Sequence, residues 1–280
     1  MFTRRQLIGT SLSLAACSAL PSAAMAAGRL RQSASRWCYE KIPLDDLCAF
    51  AARIGMQGID LLNPVDYDVP RRHGLVCTMG YAAGDTMTIA NGLNRRENHA
   101  AIEQAFRTGI PRAAKSGVPN VIAFSGNRRG LSDEQGAANT VAGLNRVKRI
   151  AEDNGVTICV ELLNSRRDHP DYMADHSAWG VRVMKEVDSP RVKLLYDIYH
   201  MQIMEGDLID TIRKDMPWIG HFHTGGVPGR NDLDETQEVN WHAVAAAIAD
   251  SGFKGYFAHE FVPKGDPLPA LERAVRTCTV

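Results

Sequence analysis

The chain has 280 residues, with 32 Lys and Arg set against 32 Asp and Glu, so its formal net charge is zero. That balance leaves no global electrostatic footprint for nucleic acid or an anionic membrane, and suits a small substrate met by diffusion. The length admits one large α/β domain as readily as two small ones.

Residues 1–26 read as a cleavable signal segment rather than as part of the fold. Arg4 and Arg5 form a twin-arginine head, an apolar stretch runs from Leu7 to Leu20, and Pro21 precedes a small-residue site at Ala24-Met25-Ala26. The stretch is too short and wrongly flanked to be a membrane span. Cleavage is expected after Ala26 and the destination is the periplasm. The alternative is a lipoprotein box, Leu14-Ala15-Ala16-Cys17, with Cys17 lipidated. Cys38, Cys48, Cys77, Cys159 and Cys278 are odd in number, widely spaced and without a CxxC pair. Buried thiols are expected, not a disulfide framework.

From residue 35 onward, short β-rich runs alternate with longer helical patterns. The predicted strands are 35–39, 58–62, 75–79, 120–124, 157–163, 192–197, 219–224 and 256–261. Helical patterns fill 44–55, 97–117, 133–153, 175–187, 206–215, 240–251 and 268–277, several opening at a capping residue (Asp133, Asn240) and closing at Gly. Only the 63–74 connection is too short for a full helix. Eight strands alternating with helices imply parallel pairing, and eight strands close a (β/α)8 TIM barrel, here one domain over 27–280. A doubly wound open sheet is the alternative, but no Gly-rich phosphate fingerprint follows the first strand.

The fifth strand, VTICVELLN, sets Glu161 into an apolar run, where a lone ionised carboxylate is costly. Asp197, His223 and Glu260 then end the sixth, seventh and eighth strands. Each separation is about one strand-plus-helix unit, so all four fall on the C-terminal face, where barrels build their active sites. Three converging carboxylates repel one another unless something positive sits between them. Hard oxygen ligands with one imidazole suit Mn²⁺, Mg²⁺ or Co²⁺ better than a structural zinc.

The stretches VELLN with DHPDY, YDIYHMQIMEGDL, HFHTGGVPGR with EVNW, and GYFAHEFVPKGD resemble the hydroxypyruvate isomerase family over about residues 35–275. That family belongs to the xylose-isomerase-like TIM barrels, with the ketose 3-epimerases and endonuclease IV. The resemblance implies that Glu161 and Glu260 are the acid/base pair and also metal ligands, that Asp197 and His223 complete the ligands, and that His200 and Arg230 contact substrate. Three positions depart from the family pattern. His223 replaces the Gln usual in hydroxypyruvate isomerases and matches the epimerases. Arg167 stands where the epimerases place a second Glu. NDLDETQEVN follows Arg230 in place of a His-Glu-Pro run.

The expected activity is an aldose–ketose-type isomerisation of hydroxypyruvate to 2-hydroxy-3-oxopropanoate (tartronate semialdehyde). A divalent ion chelated by adjacent oxygens would acidify the C–H between them, and the two Glu would move the proton. Arg230 would pair with a substrate carboxylate. Because hydroxypyruvate is intracellular, a periplasmic epimerase, isomerase or lyase acting on a free or oxidised sugar is the first alternative. A non-catalytic sugar-binding barrel is the second. A DNA repair nuclease would need further His and Asp ligands from strands 2 and 3, whose ends read Leu62-Asn63 and Met79-Gly80. The partner expected is thus a small hydroxy-keto acid or sugar, with no nucleic acid. A homodimer is an expectation from the family alone. Charge at 97–100 and 126–130 reads as solvated loops. Trp37 and Tyr39 are candidates for the pocket floor, and His221 for a deeper, hydrogen-bonded residue.

Overall fold

The computed structural model describes residues 28–280, so the signal segment with its Cys17 alternative lies outside the described residues. Eight parallel strands form the sheet: β1 (Arg31–Ser35), β2 (Gly58–Asp60), β3 (Val76–Cys77), β4 (Asn120–Ala123), β5 (Thr157–Glu161), β6 (Val192–Asp197), β7 (Ile219–Thr224) and β8 (Tyr256–His259). Their order is β3-β2-β1-β8-β7-β6-β5-β4. Gly80 closes the ring by donating its N–H to Asn120 O at 3.0 Å and accepting from Ile122 N at 3.1 Å. The sheet is therefore the expected barrel.

Helices α1 (Leu44–Arg53), α2 (His99–Lys115), α3 (Asp133–Asn154), α4 (Ser177–Val187), α5 (Ile198–Met204), α6 (Leu208–Asp215), α7 (Trp241–Asp250) and α8 (Pro267–Thr277) surround it. Their apolar stripes, including Leu47, Phe106, Leu144, Val183, Ile248 and Leu271, are buried on the outer face of the sheet. Among the described residues no helix is long and apolar enough to cross a membrane. All five described cysteines are free, four of them buried and Cys38 partly so.

Two expectations need correction. Residues 35–39 are not the first strand: Arg31–Ser35 is, and Arg36–Tyr39 turns as a 3₁₀ segment. The cap of α3 is Ser132, whose side chain accepts from Gln135 N, and not Asp133. The register then fixes the site. Asp197 pairs with His223 across β6 and β7, Glu161 pairs with Leu195, and Glu260 N donates to Thr224 O just past the end of β8.

Candidate metal centre and substrate pocket

Inward-facing positions on adjacent strands bring Glu161, Asp197, His223 and Glu260 together, each offering a donor atom within 4.8 Å of the others. All four are buried. His223 Nδ1 lies 2.6 Å from Glu260 Oε2 and 3.2 Å from Glu161 Oε1. Arg230, on the turn after β7, points Nη2 at Asp197 Oδ2 (2.7 Å) and Glu260 Oε2 (2.5 Å). Its side chain is only 14% exposed, so it is a site cation and not a solvated loop charge. His200 completes the six expected residues, its Nε2 lying 3.7 Å from Asp197 Oδ2.

The proton affinities follow from this crowding. Burial pushes Glu161 up to about 7, with Glu260's charge adding to the rise against the hydrogen bond from His223. Burial would also raise Glu260, but His223 and Arg230 outweigh it and hold its carboxyl down at about 2. Burial opposes charge on His223 as well, yet Glu260 and the other carboxylate contacts keep it an imidazolium. His200 is driven well below its ordinary range by burial and then by Arg230, and is neutral.

Charge balance tests whether a cation fits. Three carboxylates face two cations, His223 and Arg230, and the unmatched negative charge adds to the burial that raises Glu161's affinity for a proton. A divalent cation, with His223 neutral and Glu161 ionised, would balance the three carboxylates together with Arg230. Donor type, burial and charge all fit a hard divalent ion held by Glu161, Asp197, His223 Nδ1 and Glu260.

Sequence reasoning missed Asp60, at the end of β2. Its Oδ2 lies 2.8 Å from His223 Nε2, and its Oδ1 accepts from Thr78 Oγ1 at 2.5 Å. An earlier strand therefore does bring a ligand-capable residue to the centre, contrary to the reading of GIDLL. Asp60, His221 and His223 form a second, fully buried group. His221 packs edge-on to His223 and lies 3.2 Å from Asp60 Oδ1, but neither of its nitrogens has hydrogen-bond geometry, so it is deep but not hydrogen-bonded as expected.

A cavity of about 210 Å³ opens above the four residues. Leu61, Tyr81, Ile89, Ile122 and Phe124 line one wall, and Asp168, His169, His200, Arg230 and Glu260 the other. Trp37 covers the mouth and donates its indole N–H to Glu260 Oε1. Tyr39 instead packs in the core against Phe261. A larger cleft of about 890 Å³ lies between residues 232–242 and α8, and contains none of the four centre residues. The 126–130 charges brace loops: Arg128 Nη2 reaches Asp175 at 2.9 Å, and Arg129 Nη2 reaches Asn91 at 2.7 Å.

The chain belongs to the xylose isomerase-like TIM barrel family, whose model matches residues 48–278. It is similar to the hydroxypyruvate isomerase of Escherichia coli K12, at 26% identity over 226 residues, which covers 76% of this chain and 86% of that protein. It is also similar to the D-psicose 3-epimerase of Agrobacterium fabrum, at 35% identity over 136 residues, covering 47% and 44%. The chain spans 64% of the length of a human relative and 48% of a zebrafish one. A crystal structure titled AP endonuclease, family 2, from Brucella melitensis matches with a TM-score of 0.74 at 25% identity, covering 89% of this chain and 98% of that one.

Proposed function

We propose that the protein is a divalent-metal-dependent isomerase that converts hydroxypyruvate to 2-hydroxy-3-oxopropanoate. The observation that carries this reading is Arg230, a guanidinium only 14% exposed that lines a small cavity together with Glu161 and Glu260.

When bound, the cation would act as a Lewis acid toward the adjacent carbonyl and hydroxyl oxygens. Glu260, ionised, takes a proton from C3, and that proton reaches C2 by way of Glu161, so both carboxylates end as they began. The hydroxyl proton passes from the C3 oxygen to the C2 oxygen, so the product is an isomer with nothing lost. In the reverse direction the two Glu exchange roles. Arg230 attracts the carboxylate by its charge and, with His200, faces the C2 oxygen. The apolar wall from Leu61 to Phe124 excludes water from the reacting carbons.

A second reading is a ketose 3-epimerase, favoured by His223 in place of Gln and by the relative at 35% identity. The same two Glu would then work on opposite faces of one carbon. The test loads purified protein with Mn²⁺ and follows hydroxypyruvate with and without chelator. Chelator-sensitive formation of tartronate semialdehyde, lost in Glu260→Gln, is expected. A folded, metal-loaded sample that leaves hydroxypyruvate untouched but exchanges C3–H of ketohexoses in deuterated water would replace the first reading with the second.

A further inference from the structure

The loop after β5 contains a residue that nothing in the mechanism has used. Asn164 is fully buried, and its amide orientation is settled by its neighbours. Oδ1 accepts from the backbone N–H groups of Arg167 and Asp168, both at 3.0 Å. The nitrogen must therefore face the other way, and Nδ2 lies 2.7 Å from Asp168 Oδ2 and 2.6 Å from His200 Nδ1. Asp168 is itself fixed by Tyr199 Oη at 2.8 Å.

An amide nitrogen only donates, so His200 Nδ1 must accept. A neutral imidazole has one acceptor and one donor nitrogen, which leaves the proton on Nε2. That nitrogen faces the cavity, where Arg230 Nη1 lies 2.5 Å away. A guanidinium also only donates, so the two N–H groups cannot bond to each other. Asp197 Oδ2, at 3.7 Å, is too distant to serve as the acceptor. Moving the proton to Nδ1 would only transfer the conflict to the sealed contact with Asn164, where no other acceptor is available. On the cavity side, an oxygen entering from solvent can accept from both groups.

We propose that Asn164 is a positioning residue that holds His200 as the Nε2–H tautomer, so that His200 and Arg230 present paired donors to one substrate oxygen. The identity of that oxygen, O2 of hydroxypyruvate, rests on the isomerase reading; the tautomer does not. The pair is arranged like an oxyanion hole, fixed before the negative charge develops. Asp168 supports it indirectly, by engaging the other hydrogen of the Asn164 amide.

The test is long-range ¹H–¹⁵N correlation on the full chain labelled at histidine, with and without Zn²⁺, the His200 signals being assigned by their loss in His200→Gln. We expect an unprotonated Nδ1 and a protonated Nε2 for His200. The reverse pattern would overturn the proposal whether or not the protein turns over hydroxypyruvate. In Asn164→Ala, both ¹⁵N shifts should move toward the average of exchanging tautomers, and kcat should fall at least about tenfold with a smaller change in KM. A folded Asn164→Ala protein with unchanged shifts and kcat would also overturn it. A purely structural role would lower the melting temperature without moving those shifts. Should that variant not fold, the wild-type spectrum decides alone.

Discussion

Arg230 Nη2 lies 2.7 Å from Oδ2 of the wholly buried Asp197, on a turn whose backbone at Arg230 has φ +55°. The guanidinium is thus held among the carboxylates rather than resting there from outside. Removing one partner of a buried pair costs about 3–5 kcal/mol, because the remaining charge is left without compensation. Arg230→Met should destabilise the metal-free protein by about that amount. A divalent cation should recover most of the loss, since it neutralises the same two carboxylates. Thermal melts with and without Mn²⁺ check this, and equal losses in both states would mean that Arg230 and the cation do not share a charge environment.

Asp60 holds His223 Nε2, so Nδ1 is the nitrogen turned toward the three carboxylates. Partners of this kind behind a ligating histidine typically contribute 10- to 100-fold in metal affinity. Asp60→Ala should weaken Mn²⁺ binding by about that factor in titration calorimetry while leaving the cavity walls intact. Unchanged affinity would detach Asp60 from the centre.

A cation requires His223 Nδ1 bare and Glu161 ionised. Glu161 is raised to about 7 and His223 is raised as well, so both carry protons below neutrality in the metal-free protein. The sign is therefore fixed: metal affinity falls as pH drops through about 7, by roughly one to two powers of ten per pH unit. The same raised affinities make the metal-free fold lose stability as pH rises through that range. Calorimetry in buffers of different ionisation enthalpy counts the protons released, and a count of zero would contradict both assignments.

Much of the centre could be read from the sequence because β5–β8 are largely apolar runs that end at or beside it. Asp197 closes β6 and His223 stands one residue before the end of β7, strands whose bounds were predicted to the residue. The other half of the barrel was harder to read. β1 is RQSAS, whose small polar side chains Gln32, Ser33 and Ser35 are buried, so it lacks the apolar alternation that marks a strand. The neighbouring aromatics Trp37 and Tyr39 drew the prediction onto the turn. Asp60 escaped notice because β2 is only three residues long and the apolar GIDLL run extends past it. Helix α5 has seven residues, too few to show a period, although Asp197 caps it by accepting from His200 N.

The ring is uneven around its circumference. The half carrying Glu161, Asp197, His223 and Glu260 is held by ladders of four registered pairs each, with one register shift at Leu194–Leu195 between β6 and β7, whereas the half formed by β2, β3 and β4 is narrow and meets at Gly80, a single residue between two neighbours. The apolar wall of the cavity comes from that thin side. Evolution can therefore recut the substrate-facing wall as one would change a mould liner, leaving the charged seat undisturbed. Substitutions at Ile89 or Phe124 are where a new sugar or acid would be accommodated first.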